Sequence, residues 1–423
     1  MAATGASLLL LAALAARAAR AQPLPAWPPT YRLNRSTYLY ACKQDGPLDA
    51  AALRNWSTVD LDWSNEKDQW AKEKPMDAEE RLLAQALAFR AAGADHAWVY
   101  RNTVKALPFF TSVREKLVDP RFAAWFLRFA NSTQGGPPYT GYSPMCDANY
   151  DPPLCSSFYH DSVCPPDYPW GCQVPAYPHS PTGNGDCAAP ACDVGAVPIG
   201  EYLFDHRAWN VSAGGTTLGE WFVDEHLFGP LGGGNVNVTG FYFDDHWDGG
   251  GASEIEQHQL ADMGLSSAEL ADIVAAYASN MAAVNAAVVA RGAFTEQLQV
   301  TLDRVTDNTT CASVLRPLCG AASPTQARFS YLDVGDSGDG DALPLSVAQF
   351  LLVRGPYAHI GHHWSGCGCG CPAPEWPPLL DADVGEPLNL CSEATPNVFV
   401  RNYTRANVSI DCATATPAIS VLP

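Results

Sequence analysis

Strand-like segments alternate with helical segments along most of this chain, and the alternation limits the folds open to it. Eight short segments rich in aromatic and β-branched residues have the pattern of strands. They are residues 37–42, 58–63, 96–101, 198–205, 238–245, 297–302, 328–334 and 357–363. Strands that alternate with helices form parallel sheets. The pattern therefore predicts an α/β fold, a (β/α)8 TIM barrel, with an open doubly wound sheet as the competitor.

Helix boundary signals support this order. Asp77 and Glu80 have capping-box spacing, and the helical pattern after them stops at Gly93. Ser266 and Glu269 have the same spacing before a long helical pattern with one apolar face. A dinucleotide-binding sheet is disfavoured because no G-x-G-x-x-G follows an early strand.

The remaining segments are expected to be additions to the barrel. An apolar run too short to span a bilayer precedes an A-R-A cleavage pattern, so residues 1–21 are predicted to be a signal peptide. The barrel is expected over residues 22–383. Within it, residues 131–195 hold six Cys with many Gly, Pro and Tyr, which predicts a disulfide-stapled insertion. Residues 384–423 are expected to form a small β-rich tail.

Sequence composition favours export and argues against a nucleic-acid partner. Eight N-x-S/T sequons and 14 Cys are typical of a secreted or cell-wall glycoprotein with disulfide bonds. The net charge of −20 argues against binding to nucleic acids or anionic membrane surfaces. No apolar run after the signal peptide approaches membrane length, so no membrane span is predicted.

Two motifs were weighed as metal sites, and no metal or other cofactor is predicted. Thiols two residues apart in "CGCGC", residues 367–371, suit tetrahedral zinc poorly. The acidic run at 333–341 lacks the EF-hand register, so a solvated loop is favoured there, with calcium as the open alternative.

Acidic and aromatic residues gather at the carboxyl ends of the candidate strands. They are Asp62, Trp63, Asp205, Asp244, Asp245, His246, Trp247, Asp333, His363 and Trp364. In a barrel these ends form the active site. Carboxylates suit proton transfer and nucleophilic attack, and a flat indole suits the apolar face of a sugar ring. Together they predict glycoside cleavage, in which two carboxyls flank the scissile bond.

Side-chain alternation decides which acids share a site. Successive strand residues point to opposite faces, so Tyr242 and Asp244 share a face, and Asp245 joins them only if the strand has ended. Glu201 and Asp205 also share a face. Asp205 is therefore expected to approach Asp244 across neighbouring strands, with Glu201 one layer deeper. The structural alternative is that each strand-end Asp caps a following helix or turn.

The segment "GFYFDD" resembles a strand end of barrel glycoside hydrolases. Relatives of alpha-amylase have G-F-R-x-D there, and Gly240, Phe241 and Asp244 match this spacing, with Tyr242 in place of the Arg. Segments such as "DWSN", "PMDAEERL", "GEYLFDHR" and "VFVRNYTRANVSIDC" are similar to uncharacterised secreted barrels of this type. The resemblance implies that Asp244 is the nucleophile, or the base in an inverting enzyme.

We therefore predict a secreted glycoside hydrolase that acts on a poly- or oligosaccharide through two carboxylates. The acid is predicted to be Asp205 or Asp245, with Glu201 and Asp333 in reserve. The sugar is predicted to contact Asp62, Trp63, Tyr242, His246, Trp247, Asp333, His363 and Trp364. The competing prediction is a carbohydrate-binding or matrix glycoprotein that has the same scaffold and no turnover.

Overall fold

The computed structural model describes much of the chain in separate stretches. They are residues 30–70, 75–127, 145–147, 154–156, 202–249, 251–252, 255–256, 265–297, 305, 307–319, 331–333, 343–365 and 376–422. The predicted signal peptide, Glu201, the 334–341 part of the acidic run and most of the predicted Cys-rich insertion lie outside these described residues.

A parallel sheet of seven strands forms the centre of the described chain. The strands are β1 (Thr37–Ala41), β2 (Thr58–Leu61), β3 (His96–Asn102), β4 (Gly240–Asp244), β5 (Phe294–Gln297), β6 (Tyr331–Asp333) and β7 (His359–Ser365). Their spatial order is β5-β4-β3-β2-β1-β7-β6, and every neighbouring pair is parallel. Strands that follow each other in the chain are therefore neighbours in the sheet, with one exception. β5 and β6 are consecutive in the chain but form the two opposite edges.

The prediction of a closed eight-stranded (β/α)8 TIM barrel is wrong, because the described residues form a curled, open sheet. The described part of the predicted strand at 198–205, residues 202–205, does not join it. Leu203 and Phe204 instead make isolated antiparallel bridges to Lys105 and Phe126. Hydrophobic alternation shows that such a segment is buried, but it does not specify which backbone supplies its hydrogen bonds.

In the described stretches, five helices of eight or more residues connect the strands from β2 onward. They are α1 (Ala78–Ala92), α2 (Thr111–Val118), α3 (Ser267–Ala290), α4 (Cys311–Leu318) and α5 (Leu343–Val353). The capping box of Ser266 and Glu269 is present at the start of α3. Asp77 precedes α1 but does not cap it, because its carboxylate accepts a hydrogen bond from Arg81 instead. Gly93 ends α1 in the left-handed conformation.

Shorter elements complete the described chain. Single helical turns are Leu33–Arg35, Lys67–Trp70, Pro120–Trp125, His206–Ala208, Leu218–Trp221, the π-helical Phe222–Leu227 and Pro378–Asp381. Short antiparallel pairings join Met145–Asp147 to Leu154–Ser156, Ser212–Ala213 to Thr216–Thr217, and Gly251–Ala252 to both Trp247–Asp248 and Ile255–Glu256.

A second sheet of four antiparallel strands packs at the carboxyl end of the chain. Its strands are β8 (Ser392–Thr395), β9 (Val398–Asn402), β10 (Ala406–Asp411) and β11 (Thr416–Val421). Disulfides Cys311–Cys412 and Cys319–Cys391 tie this segment to α4. Disulfides persist in oxidising compartments, so these two bonds are compatible with an extracellular location.

Helix α3 has the length and composition of a membrane-crossing helix. Buried helices of soluble proteins also have these properties, so they do not identify a membrane span. One face of α3 is buried in the protein core, with Ile273, Tyr277, Val284 and Val288 among its buried residues.

The glycine of the "GFYFDD" segment has a steric role. A Cβ at Gly240 would lie 2.5 Å from Nε1 of Trp98, whose indole is fully buried. We expect Gly240→Ala to lower the free energy of unfolding by about 1–3 kcal/mol, because the overpacked indole has no free volume to move into. Denaturant unfolding measures this change.

Gly249→Ala is the matched control for that substitution, since nothing lies within 4 Å of a Cβ built there. Its free energy of unfolding should stay within about 0.5 kcal/mol of the parent. Equal losses in the two variants would contradict the steric role of Gly240.

Candidate active site

The pairing of β3 with β4 brings the first acid of "FDD" beside two polar side chains. Tyr100 lies opposite Tyr242, and Asn102 lies opposite Asp244. The hydroxyl of Tyr100 donates a hydrogen bond to Asp244 Oδ2 at 2.7 Å, and Asn102 Nδ2 donates to the Tyr100 oxygen at 2.7 Å. A chain of hydrogen bonds therefore runs from β3 to the strand-end carboxyl.

The strand ends at Asp244, and the next residue turns sharply. Asp245 has a φ of 58°, in the left-handed region that non-glycine residues seldom occupy. Its carbonyl oxygen accepts hydrogen bonds from Thr103 Oγ1 at 2.8 Å and from the Tyr277 hydroxyl at 3.1 Å. These contacts hold the turn, so Asp245 no longer follows strand alternation.

The turn directs the Asp245 carboxylate toward β3 and the loop after it. Asn102 Nδ2 donates to Asp245 Oδ2 at 2.6 Å, and Lys105 Nζ lies 3.1 Å from the same oxygen. Asp245 and Lys105 are 5% and 4% exposed, which makes this a buried ion pair. Both carboxylates of "FDD" are thus connected through Asn102 and Tyr100.

Asp244 has a perturbed protonation equilibrium. Asp244 as a whole residue is partly exposed, whereas Asp245 is buried. Burial of its carboxyl and the negative charge of Asp245 raise the pKa of Asp244 to about 7, against the opposing effects of Lys105 and the Tyr100 hydrogen bond. Asp244 therefore exchanges its proton close to neutral pH.

A second pair of acids extends from β2. Asp60 is fully buried and accepts a hydrogen bond from the Tyr38 hydroxyl at 2.7 Å, and its burial raises its pKa well above the ordinary value. Asp62 accepts hydrogen bonds from the Tyr40 hydroxyl and from the Ser64 hydroxyl and N–H. Burial also raises the pKa of Asp62.

Tyr40 links the two acid pairs. Its ring stacks on Tyr242 with centroids 4.6 Å apart. Burial raises its pKa well above 10, and the charges of Asp62, Asp244 and Asp60 add to this effect. The acids of β2 and β4 therefore form one electrostatic cluster at the carboxyl end of the sheet, which we call the acid cluster: Asp60, Asp62, Asp244 and Asp245.

Trp63 lies beside the acid cluster. Its ring is partly exposed, stacks on Phe109 at 5.1 Å and lies 6.4 Å from the ring of Tyr100. The ammonium group of Lys67 lies 4.7 Å from the centre of the indole. Trp63 is therefore an aromatic surface next to the carboxyls.

The other aromatic and imidazole residues of "DDHW" are placed differently. Trp247 is 3% exposed and lies in a short antiparallel pairing with Gly251–Ala252, so its indole belongs to the core. His246 Nε2 lies 3.3 Å from a carboxylate oxygen of Asp248. Trp247 accordingly offers no open face to a ligand.

Asp205 has a local structural role. Its carboxylate accepts a hydrogen bond from the Arg207 N–H at 3.0 Å and two from the Arg207 guanidinium at 2.9 Å. This arrangement caps the turn His206–Ala208. The expected approach of Asp205 to Asp244 is not among the contacts of the described residues.

Four predicted site residues have side chains outside the described part of the structure. Glu201 is one of them. The backbones of Asp333, His363 and Trp364 lie in β6 and β7, and Asp333 is paired with Gly361 across these strands. Their predicted roles stay predictions.

Several residues of the site were not predicted from the sequence. They are Tyr38, Tyr40, Asp60, Tyr100, Asn102 and Lys105. The signal for most of them is polar or phenolic side chains at alternate positions near a strand end, as in "TYLY" and "YRN". Lys105 gives no such signal, because it lies in a loop and reaches Asp245 only through the fold.

Neither a metal-ligand group among the described side chains nor a known relative identifies the acid cluster. Among the side chains that the structure describes, no group of three or more His, Cys, Asp and Glu could hold a metal ion. No protein-family model matches the chain, and no curated protein matches it. A fold alone does not identify a function, so the residues of the site are what indicate one.

Asp60 makes stability depend on pH in a defined direction. Its folded-state pKa lies well above its unfolded value, so the folded state holds a proton that the unfolded state releases. The free energy of unfolding should fall as pH rises from about 4 through the raised pKa. Asp60→Asn should make this fall shallower by about 1.4 kcal/mol per pH unit, as measured by denaturant unfolding from pH 4 to 7.

Asp119→Asn serves as the control, because hydrogen bonds from Arg121 lower the pKa of Asp119. The stability contribution of Asp119 is present above its unfolded pKa and is lost as pH falls through the lowered value. Its removal should therefore leave the slope between pH 5 and 7 unchanged. An unchanged slope in Asp60→Asn would refute the assignment of a buried proton to Asp60.

Proposed function

We propose that this protein is a secreted glycoside hydrolase in which Asp244 is the catalytic acid. The observation that carries the proposal is a carboxyl on a partly exposed residue at the end of a parallel strand, whose burial and whose neighbour Asp245 raise its pKa to about 7. A general acid works best when its pKa lies near the operating pH. Asp244 would protonate the glycosidic oxygen as the bond to the leaving sugar breaks.

The role of fixed anion falls to Asp245. Its carboxylate is paired with Lys105 and accepts a hydrogen bond from Asn102. Glycoside hydrolysis passes through an oxocarbenium-like transition state, whose positive charge a nearby carboxylate stabilises. Two carboxyls in contrasting environments, one holding a proton and one in an ion pair, support this division of roles.

Trp63 is the proposed sugar platform. Its indole is partly exposed beside the acid cluster and is held by its stack on Phe109. A flat aromatic face packs against the C–H face of a sugar ring. Tyr242 and Asp62 are buried. In this proposal they pack against the residues of the site and do not contact the sugar themselves.

The structure favours a different assignment of the acid from the one expected from the sequence. The resemblance to alpha-amylase relatives implies a nucleophile at Asp244, whereas a carboxyl that keeps its proton near pH 7 suits an acid better. Asp205 is not proposed as the acid, because the Arg207 guanidinium donates hydrogen bonds to both of its carboxylate oxygens. Export remains part of the proposal, supported by the two disulfides.

We expect Asp244→Asn to lower kcat by about 100-fold to 10,000-fold on a polysaccharide that the parent protein hydrolyses. The physical reason is that an amide cannot donate the proton that the leaving oxygen needs. The measurement is reducing-sugar release across a panel of soluble polysaccharides. In the parent, kcat should fall as pH rises through about 7, because Asp244 then loses its proton.

The matched control is Asp205→Asn, the same substitution at an acid whose carboxylate caps a turn and pairs with Arg207. It should keep kcat within a few-fold of the parent. Binding of a polysaccharide by the parent and by Asp244→Asn, with turnover by neither, would favour the non-catalytic carbohydrate-binding protein. Equal activity of Asp244→Asn and the parent would refute the role of Asp244.

A further inference from the structure

We propose that Lys105 and Asn102 are positioning residues: they hold the negative charge of the acid pair on Asp245 and so leave its proton on Asp244. This inference rests on the proposed function, because it explains how one of two adjacent carboxyls becomes the acid. Neither residue contacts a substrate in this scheme. Both act through the aspartates.

The burial of Lys105 explains why the charge belongs on Asp245. The ammonium group of Lys105 is almost fully buried, and its carboxylate partner lies 3.1 Å away and is buried as well. An ammonium group removed from water is strongly destabilising unless an anion is paired with it. Protonation of Asp245 would remove that anion, so the ion pair favours an ionised Asp245.

Asn102 is oriented to donate to this anion. Its Oδ1 accepts the backbone N–H groups of Val104 at 2.9 Å and Lys105 at 2.6 Å, which fixes the amide. Its Nδ2 therefore points to the acids and donates to Asp245 Oδ2 at 2.6 Å. Hydrogen bonds donated to a carboxylate stabilise its ionised form.

The same amide sets the direction of the hydrogen bond to Asp244. Asn102 Nδ2 also donates to the Tyr100 oxygen at 2.7 Å, and the Tyr100 hydroxyl donates to Asp244 Oδ2 at 2.7 Å. This hydrogen bond by itself lowers the pKa of Asp244, and burial together with the charge of Asp245 outweighs it. Two adjacent carboxylates repel each other when both are ionised. With Asp245 fixed as the anion, the proton of the pair stays on Asp244.

The phenols around Asp244 do not supply a competing charge. They are those of Tyr40, Tyr100, Tyr242 and Tyr277. Asp60 and Asp62, whose charges act on Tyr40 together with that of Asp244, are unchanged in every variant below. Burial raises the pKa of Tyr40 well above its ordinary value and that of Tyr277 to about 12, so both stay neutral near pH 7. Asp245 and Lys105 are therefore the charged groups whose removal tests the inference.

The experiment follows the aspartate carboxyl carbons by ¹³C NMR during a pH titration of the full-length protein. The loss of a resonance in Asp244→Asn or Asp245→Asn identifies each carbon. In the parent, of the two adjacent resonances, we expect that of Asp244 and not that of Asp245 to move near pH 7. In Asp245→Asn, the pKa of Asp244 should fall by about one pH unit or more, because the neighbouring negative charge is gone.

Lys105→Met provides the sharper result. Without the ammonium group, we expect the upper pKa of the pair to rise by about one pH unit, and both resonances to move in that step because the proton becomes shared. Lys105→Arg keeps the charge and should restore the titration of Asp244 alone. Lys116→Met is the matched control. Lys116 lies on α2 and forms an ion pair with Glu225, so its loss should leave the titration of Asp244 unchanged.

A purely structural role for Lys105 would lower the thermal unfolding temperature and leave the titration unmoved, which would overturn the inference. If Lys105→Met does not fold, Asp245→Asn decides, and a pKa of Asp244 that stays at about 7 overturns it. The titration needs no sugar. If the shifts occur and the protein has no turnover, only the proposed function is refuted. If the protein is a hydrolase and the shifts do not occur, only this inference is refuted.

Discussion

The site depends on the register between β3 and β4. This register sets Tyr100 against Tyr242 and Asn102 against Asp244, and it places the amide of Asn102 within reach of both strand-end acids. Side chains alternate along a strand, so a slip of one residue would turn the phenol and the amide to the opposite face of the sheet. The pairing of two strands thus sets the chemistry of both carboxyls.

The second constraint is the end of β4. A strand that continued one residue further would carry Asp245 to the face occupied by Phe241 and Phe243, away from Asp244. The left-handed backbone at Asp245 prevents this, and Thr103 and Tyr277 of α3 hold its carbonyl oxygen in place. Uncommon backbone conformations persist when several surrounding contacts fix them, and they concentrate at functional sites.

The acid cluster shows how buried carboxyls are accommodated in an apolar sheet. Tyrosine hydroxyls supply a hydrogen bond to each of three acids: Tyr38 to Asp60, Tyr40 to Asp62 and Tyr100 to Asp244. Asp245 is stabilised by a lysine instead. The phenol hydrogen bonds lower the pKa values of these three acids, but burial outweighs them and the net shift is upward. An ammonium group beside a buried acid instead favours the anion.

Local patterns in the sequence determined the positions of several strands, the start of α3 and which side chains of one strand share a face. Alternation located the strand segments around Thr37–Ala41, Thr58–Leu61, His96–Asn102 and Gly240–Asp244, and it placed Tyr242 and Asp244 on a common face. Capping-box spacing located the start of α3 at Ser266. These features follow from residues close together in the chain, whose period and caps are visible without the fold.

Only the tertiary structure decided how the segments combine. Within the described residues the sheet is open, and the segment at 203–204 forms bridges to Lys105 and Phe126. The tertiary structure also brought Lys105 to Asp245. Hydrogen-bond partners of a strand and counter-ions of a buried acid come from residues far away in the chain, and local periodicity contains no information about them.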